Sequence, residues 1–250
     1  MSQRDKIKFL EETIHTSDKF IPVLVTCETH LEDGIMDPEV NISEYNLYRS
    51  DRITRKCGGT SIYIHQSIQI DNIEKYSDSV CEAVLLYSKL LNQVIIGVYR
   101  PPHGHPALDI HTSFKNLLKS IELFTSRLEN VDMMMMGDFN LPSIDWNRET
   151  VAPGKADKKC AEIFLEFMNN HLLSQHVMEN TRDNKNILDI IVTNHPELIH
   201  SIEVEKVTKK LSDHDIVKCN LLDKFAKKKP PEKTYEPKHR LDAINFKKAD

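Results

Sequence analysis

The stretch Met133-Met134-Met135-Met136-Gly137-Asp138-Phe139-Asn140 joins an apolar run to an acid and an amide at alternate positions. Four apolar residues that end at a glycine predict the core of a strand buried on both faces. If the chain stays extended past Gly137, Asp138 and Asn140 point to one side and Phe139 points to the other. A carboxylate beside an amide at a strand end can serve as a base and an orienting group for water. Gly, Asp and Asn are also turn residues, so these positions alone leave a turn and a site equally open.

Other segments of the chain, taken in order, resemble the motifs of one enzyme family. They are Glu28 in Val-Thr-Cys-Glu-Thr-His-Leu, Tyr99-Arg100-Pro101-Pro102, the segment from Asn186 to Asn194, and Ser212-Asp213-His214. Together with the Gly137-Asp138-Phe139-Asn140 segment they resemble the endonuclease/exonuclease/phosphatase family. Any one of these motifs is weak, whereas five in order are a strong signal.

The closest branch of that family looks like the endonuclease domain of non-LTR retrotransposons, which is related to abasic-site endonucleases and DNase I. Arg49-Ser50-Asp51-Arg52 with Gly58-Gly59, and Thr181-Arg182 ahead of Leu188-Asp189, resemble this branch more narrowly. The resemblance extends from about Arg4 to Leu222.

The fold implied by the resemblance is α+β, a DNase I-like four-layer α/β-sandwich of two packed mixed β-sheets flanked by helices. The residue pattern points the same way, because many short strands are interrupted by few helices. Periodicity predicts helices over residues 6–14, 110–128 and around 160–168, and strands over residues 80–87 and 94–99 that form a hairpin.

Composition predicts one domain over residues 1–222 and a Lys- and Pro-rich flexible linker over residues 223–250. Family members begin with a strand whose Asn contacts the phosphate and the metal water. No Asn occurs before Asn41, so we expect this domain to be N-terminally truncated and to lack that strand. A sheet without one strand leaves apolar surface and unpaired backbone groups.

Charge and cysteine content limit the possible environments. The five cysteines are scattered without CxxC spacing, and no apolar run is long enough to span a membrane. These features and the absence of a secretory signal predict an intracellular, reducing setting, which for a DNA-acting protein is the nucleus. The net charge is −5, and residues 224–250 carry a net +5, so the remaining residues carry −10. An acidic body that binds DNA must rely on a local basic patch and a bound divalent metal.

The resemblance assigns catalytic roles to five side chains. Asp138 activates or orients the attacking water, and Asn140 holds that water or the phosphate. Asp189 pairs with His214 and favours the imidazolium, which donates to a phosphate oxygen. Tyr99 contacts the phosphate, although a packed aromatic residue at a strand end is an equally good interpretation of Tyr99.

Further residues match the family's metal and phosphate contacts. Glu28 is implied as the principal ligand of Mg²⁺, for which Mn²⁺ can substitute, and Asp213 as the second metal-side carboxylate. Without the other motifs, Asp213-His214 would be read as an ordinary loop dipeptide. The phosphate or DNA contacts are implied to be Arg52, Arg100, Arg182 and Ser212, although any single Arg is more often a solvated surface residue.

Three functions remain open on the sequence. The first is a Mg²⁺-dependent DNA endonuclease of retrotransposon origin, with activity impaired by the missing strand. The second is a phosphoesterase of the same fold that acts on lipid or small-molecule phosphates. The third is a catalytically inactive, retrotransposon-derived remnant or a DNA-binding module. We expect DNA as the partner, with no membrane and no obligate protein partner.

Overall fold

The computed structural model describes residues 3–17, 19–31, 34–53, 58–78, 80–102, 109–208 and 212–222. The linker predicted over residues 223–250 lies outside this range. The helices are α1 (Gln3–Thr16), α2 (Asp37–Val40), α3 (Ile110–Thr125) and α4 (Lys158–Asn170), with a 3-10 turn at Pro196–Leu198. The strands are β1 (Val23–Cys27), β2 (Tyr45–Ser50), β3 (Thr60–His65), β4 (Asn72–Ser77), β5 (Glu82–Ser88), β6 (Gln93–Tyr99), β7 (Asp132–Asp138), β8 (Ile144–Asp145), β9 (Thr150–Val151), β10 (Ser174–Gln175), β11 (Asp189–Thr193), β12 (Ile199–Glu205) and β13 (Ile216–Leu221).

The largest sheet has six strands in the order β10-β11-β7-β6-β5-β4. The pair β6–β7 is parallel and its other pairs are antiparallel, so the sheet is mixed. The predicted hairpin is confirmed by the antiparallel pairing of β5 with β6. All seven residues of β6 are buried, as expected for an apolar strand that is covered on both faces.

The methionine run of β7 separates the two faces of this sheet. Met133 and Met135 belong to the core formed with α3 and α4. Met134 and Met136 point to the opposite face, where they contact side chains of the second strand layer. Strand β7 therefore lies at the centre of the molecule, and the period-two alternation predicted from the sequence is confirmed.

The second layer consists of two pieces, a three-stranded sheet in the order β1-β3-β2 and the pair β12-β13. Side chains of both pieces contact Met136, so both lie on the same face of the six-stranded sheet. Helix α1 covers the outside of the three-stranded sheet through Ile7, Leu10 and Ile14. The predicted α+β sandwich of four layers is confirmed, and its second sheet is divided between β1 and β13.

Two long strands were not predicted. Strand β4 forms the outer edge of the six-stranded sheet. Its charged residues Glu74 and Lys75 interrupt the apolar pattern from which strands are predicted. Charges are common on edge strands because they discourage pairing with other chains. In strand β12, Ile202, Glu203, Val204 and Glu205 alternate between half-buried and exposed positions, which is the pattern of a strand covered on one face. None of the described helices has the length and apolar character needed to cross a membrane.

Candidate active site

Three adjacent strand ends of the six-stranded sheet form the floor of a polar site. Asp138 at the end of β7 pairs in register with Tyr99 at the end of β6 and with Asp189 at the start of β11. Residues paired in register point to the same face of a sheet, so the three side chains lie side by side. Asp138 is 2% exposed. The predicted position of Asp138 at a buried strand end is therefore confirmed.

Gly137 lets β7 approach β6 closely just before Asp138. Its φ is +141°, and a Cβ atom built there would lie 2.0 Å from the carbonyl oxygen of Val98. No other residue fits this conformation and this contact together. A glycine is therefore needed at position 137 because of the close contact between β7 and β6, and this need would not be explained if residues 137–140 were only a turn.

Asn140 holds the carboxylate of Asp138 in place. The backbone N–H of Asn140 donates to Asp138 Oδ1 at 3.0 Å, and its side-chain amide donates to Asp138 Oδ2 at 2.7 Å. The amide also donates to the carbonyl of Arg100 at 3.0 Å. Asn140 has a φ of +48°, so the two side chains meet through a turn and not through a continued strand. Phe139 points into the helix-side core, as predicted.

Asp189 and His214 form the predicted pair. His214 Nδ1 lies 2.7 Å from Asp189 Oδ2, and His214 Nε2 lies 3.9 Å from Asp138 Oδ2. Burial opposes the charge on His214, but the hydrogen bond and charge of Asp189 outweigh it and raise its pKa to about 9. In the protonated ring, Nδ1–H donates to Asp189 and Nε2–H is directed towards the space beside Asp138.

Burial raises the pKa of Asp138, and the nearby negative charge of Asp189 raises it further, to about 8. The positive charge of His214 acts in the opposite direction. A site cation would favour the ionised form of Asp138, because its positive charge opposes the effects of burial and of Asp189.

The segment around Thr181 positions this pair. Thr181 Oγ1 accepts hydrogen bonds from the backbone N–H groups of Leu188 and Asp189, at 3.0 and 3.1 Å. The backbone of Arg182 forms a bridge to His214. Ser212 Oγ accepts a hydrogen bond from the backbone N–H of His214 at 3.0 Å. Ser212 thus orients His214, and its predicted phosphate contact stays a prediction.

Glu28 faces the strand ends from the second layer. The hydroxyl of Tyr99 donates to Glu28 Oε1 at 2.6 Å. Burial, together with the hydrogen bond to Glu28, raises the pKa of Tyr99 well above its usual value, so the hydroxyl keeps its proton. Glu28 has a φ of +51°, and the next two residues donate backbone hydrogen bonds to Gly59 and Gly58. Gly58 and Gly59, for which the sequence predicted no role, thus anchor the loop that carries Glu28.

Arg52 does not lie where a DNA contact requires it. Its side chain is 4% exposed, and its Nε lies 2.6 Å from Glu82 Oε1. The guanidinium carbon of Arg52 lies 5.5 Å from the centre of the Tyr99 ring. This buried ion pair supports Tyr99 from behind, so the prediction that Arg52 binds phosphate does not fit the structure.

Arg100 requires the same correction. It is fully buried, and its Nη1 donates to the carbonyls of Phe139 and Asn140 at 3.0 and 2.9 Å. Its backbone N–H donates to the carbonyl of Asp138. The guanidinium fixes the turn that aims Asp138 and Asn140, and it is not available to a phosphate.

Arg182 and Asp213 lie at the rim of the site. Arg182 Nη2 lies 2.6 Å from Asp213 Oδ2, and the two side chains are 35% and 54% exposed. Arg182 remains accessible to a phosphate. Asp213 is held by Arg182 and does not join the acidic group, so its predicted role as a metal ligand requires this exposed ion pair to open.

Cys27 and Glu82 support the site, and neither was predicted to do so. Cys27 Sγ accepts a hydrogen bond from the backbone N–H of Asp138 and donates to the carbonyl of Val98, both at 3.3 Å. It thereby links β1 to the ends of β6 and β7. The supporting role of Glu82 could have been predicted from the sequence, because a carboxylate at the start of the apolar strand β5 needs a buried partner.

The donor set fits a divalent cation. The polar side-chain atoms of Asp138, Asp189 and His214 lie within 4.8 Å of one another, and in this group the two carboxylates are the possible cation ligands, because the protonated ring of His214 has no free lone pair. Glu28 adds a carboxylate that is half exposed and therefore open to solvent and substrate. Hard cations such as Mg²⁺ take carboxylate oxygens and keep sites for water and phosphate.

Comparison with known proteins relates this geometry to one family. A family model described as endonuclease-reverse transcriptase matches residues 93–218, just over half of the chain. A 3′ phosphatase from Neisseria, solved with product DNA hairpin, has a TM-score of 0.64 and 12% identity, covering 88% of this chain and 95% of that one. An AP endonuclease from Archaeoglobus fulgidus has a TM-score of 0.62 and 11% identity, with coverage of 88% and 95%.

The endonuclease domain of TRAS1, a telomere-specific non-LTR retrotransposon, has a TM-score of 0.58 and 12% identity, with coverage of 88% and 93%. Among curated proteins, no relative of this chain was found. At these identities the solved structures establish the fold, and the family model establishes the membership. The chain belongs to the endonuclease/exonuclease/phosphatase family.

Proposed function

We propose that this protein is a Mg²⁺-dependent endonuclease that hydrolyses phosphodiester bonds in DNA. The observation that carries the proposal is the convergence of Tyr99, Asp138 and Asp189 on three adjacent strand ends, with His214 bonded to Asp189 at 2.7 Å. Hydrolysis of a phosphodiester needs a base for water, donors for the phosphoryl oxygens and a stabilised leaving oxygen. These groups supply the first two requirements.

The cation would be held by Glu28 and by the acidic group that contains Asp138. When bound, Mg²⁺ would offset the charge that develops on the phosphate and on the leaving oxygen. Mn²⁺ takes the same oxygen donors and should substitute for it. Cation binding and ionisation of Asp138 would favour each other, because the cation offsets the penalties that burial and the charge of Asp189 place on the ionised carboxylate, and the ionised carboxylate attracts the cation.

The protein's own groups account for the proton movements. Asp138, in its ionised form, accepts a proton from water, and Asn140 keeps its carboxylate oriented through two hydrogen bonds. The imidazolium of His214 donates Nε2–H to a phosphoryl oxygen, while Asp189 holds the ring in this orientation. The hydroxyl of Tyr99 is kept protonated by burial and donates its one proton to Glu28 Oε1, and it would become a second donor to the phosphate when Glu28 binds a cation instead.

DNA is the proposed substrate, and a retrotransposon the proposed origin. Two of the solved relatives are an AP endonuclease and a retrotransposon endonuclease domain, and another was solved with a DNA hairpin. Arg182, at the rim, offers a cation to the DNA backbone. A DNA substrate would place the protein in the nucleus of a cell that has one. We also propose that activity is low, because β1 and β13 leave the second sheet divided beside the site.

Plasmid nicking tests the proposed function. Supercoiled plasmid should be nicked with Mg²⁺ or Mn²⁺ and left intact with EDTA. Asp138→Ala should lower the nicking rate by roughly a hundredfold or more. Asp145→Ala is a matched control, because Asp145 is an exposed carboxylate outside the site. Nicking that survives EDTA, or equal nicking by the chain with Asp138→Ala, would contradict the proposal.

A further inference from the structure

The row of paired residues that carries the proposed catalytic groups continues past Tyr99 to Glu82. Glu82 at the start of β5 pairs in register with Tyr99, as Asp138 does on the other side of Tyr99. Residues paired in register point to the same face of a sheet, so Glu82 lies beside Tyr99 on the face that carries the site. Glu82 is completely buried, and a buried carboxylate is unfavourable unless it is paired and hydrogen-bonded.

Arg52 of the second layer is the charged partner of Glu82. Its Nε donates to Glu82 Oε1 at 2.6 Å and its Nη2 donates to Glu82 Oε2 at 2.9 Å, so the contact is bidentate. The same Nη2 donates to the carbonyl of Val80. A bidentate contact fixes the relative orientation of its two partners, which a single hydrogen bond does not. Because Arg52 follows β2 and Glu82 begins β5, the pair fixes the second layer against the six-stranded sheet at this point.

Hydrogen bonds lead from Glu82 to the backbone that follows Glu28. Glu82 Oε2 accepts a hydrogen bond from the backbone N–H of Gly59 at 3.2 Å. The carbonyl of Gly59 in turn accepts a hydrogen bond from the backbone N–H of Thr29 at 3.3 Å. The buried carboxylate therefore holds, through one intervening residue, the chain directly after the proposed cation ligand.

Gly58 and Gly59 let Arg52 and this loop approach each other closely. A Cβ atom built on Gly58 would lie 2.5 Å from the guanidinium carbon of Arg52, and one built on Gly59 would lie 2.4 Å from Thr29 Oγ1. The φ angles of the two glycines are +104° and +86°, which residues with a side chain rarely adopt. The carbonyl of Gly58 also accepts a hydrogen bond from the backbone N–H of His30 at 2.9 Å. The loop is thus packed directly on the residues that contact the buried pair.

A second set of contacts leads from the same pair to the side chain of Glu28. The guanidinium carbon of Arg52 lies 5.5 Å from the centre of the Tyr99 ring, and the hydroxyl of Tyr99 donates to Glu28 Oε1 at 2.6 Å. A guanidinium is attracted to an aromatic face and limits the positions that the ring can take. The backbone and the carboxylate of Glu28 are therefore both held from one buried ion pair.

We infer that Arg52 and Glu82 are positioning residues for Glu28, and that this pair sets the affinity of the site for its divalent cation. The pair touches neither the cation nor the substrate. It keeps the carboxylate of Glu28 close to the strand ends, so that less ordering of the loop is needed when a cation binds. The two charges of the pair cancel, so its effect on a cation is one of geometry and not of attraction or repulsion. The inference rests on the proposed function for the cation itself.

The test measures binding of Mn²⁺ to the full chain without DNA, from the EPR signal of free Mn²⁺. The double variant Arg52→Met with Glu82→Leu removes the pair, leaves the net charge unchanged and replaces it by apolar residues, which buried ion pairs often tolerate without loss of stability. It should bind Mn²⁺ about tenfold more weakly, as expected when the partners of a metal ligand are lost. Tyr63→Phe is the matched control and should leave the affinity unchanged, because Tyr63 is buried in the same layer but donates to the carbonyl of Val40.

Two further measurements separate positioning from a general structural role. Hydrogen exchange in the absence of any cation should show faster exchange of the Thr29 and His30 amides in the double variant, with unchanged rates in α3. In a chain that carries Glu28→Gln, removal of the pair should cause no additional loss of Mn²⁺ affinity, because the pair acts through Glu28. If a thermal melt shows that the double variant does not fold, Arg52→Lys takes its place. Lysine keeps the charge but loses the bidentate contact and the planar group on Tyr99, so Mn²⁺ binding should again be weaker.

Several results would overturn the inference. Unchanged Mn²⁺ affinity in a folded variant of the pair would do so and would leave the proposed nuclease function intact. An equally large loss of affinity in the chain with Glu28→Gln would show that the pair acts by a route other than Glu28. Absence of Mn²⁺ binding by the unaltered chain would overturn the inference together with the proposed function.

Discussion

At the scale of single residues, protonation of Asp138 and His214 makes the free energy of unfolding depend on pH. Folding raises the pKa of Asp138 from 3.8 to about 8 and that of His214 from 6.5 to about 9. Within these ranges the folded chain binds more protons than the unfolded chain. Stability therefore falls as the pH rises through them.

We predict that the free energy of unfolding, measured by urea denaturation in EDTA, falls as the pH rises from 6.5 to 9. The expected loss is roughly 4 kcal/mol over this range, because each of the two groups keeps an extra proton in the folded chain over about 1.5–2 pH units, at about 1.4 kcal/mol per unit. Mg²⁺ should reduce the loss, since a cation takes the place of the proton on Asp138. Asp138→Asn should make the profile flatter. A stability that rises over this pH range would contradict the assignment.

Arg100 shows how a correct motif can receive a wrong role. The sequence placed Arg100 beside the site but could not show that its guanidinium turns inward to the carbonyls of residues 139 and 140. The burial of the Arg100 guanidinium depends on α3, because the ring centre of Phe114 in this helix lies 5.5 Å from the guanidinium carbon. That contact joins distant parts of the chain, so it cannot be predicted from the residues that surround Arg100 in the sequence.

We predict that Arg100→Ala lowers the free energy of unfolding by about 2–4 kcal/mol, because two buried carbonyls lose their donor. The salt dependence of DNA binding should not change, since the buried guanidinium of Arg100 is not accessible to a phosphate. Arg182→Ala is the contrasting variant, with the opposite pattern of a small stability loss and weaker DNA binding. A reduced salt dependence for Arg100→Ala, measured by titration of labelled DNA, would restore the earlier interpretation.

At the scale of elements, the strand β7 was predicted well because its signal is local. An apolar run followed by Gly, Asp and Asn specifies burial, strand end and site within eight residues. Strand β4 was missed because an exposed edge strand keeps its charges, and its pairing partner β5 is not implied by its own sequence. The division of the second sheet is also not local, since it concerns the edges of β1 and β13, which are far apart in the chain.

Gly137 provides a test at this scale. We predict that Gly137→Ala lowers the free energy of unfolding by about 3 kcal/mol or more. The new Cβ would collide with the carbonyl of Val98, and alanine resists a φ of +141°. Gly34→Ala is the matched control, because a Cβ at Gly34 would meet no atom within 4 Å. Equal melting temperatures for the two variants would show that β7 can move away from β6 at no cost.

At the scale of the whole molecule, an acidic body carries a basic tail. Residues 224–250 have a net charge of +5, and the rest of the chain has −10. We predict that a chain ending at residue 222 binds DNA more weakly, with a smaller dependence of affinity on salt, because fewer counterions are released. Its melting temperature should be unchanged. A melting temperature lowered by many degrees would show that the tail contributes to folding.

The order of motifs led to the family and the four-layer fold, because each motif marks a strand end whose position the fold fixes. Glu28, Tyr99, Asp138, Asp189 and His214 are brought together from five separate strand ends. The supporting contacts of Cys27, Arg52 and Glu82 could not be predicted in the same way. They depend on how the two layers approach each other, which the linear spacing of residues does not specify.

If this protein hydrolyses phosphodiesters as proposed, Asp189 and His214 act there as one unit. This can be measured by a double-mutant cycle on the rate of plasmid nicking with Mn²⁺. We predict that Asp189→Asn and His214→Gln each lower the rate by roughly a hundredfold, and that the double variant is no slower than His214→Gln alone. Losses that multiply in the double variant, or no metal-dependent nicking by the unaltered chain, would contradict it.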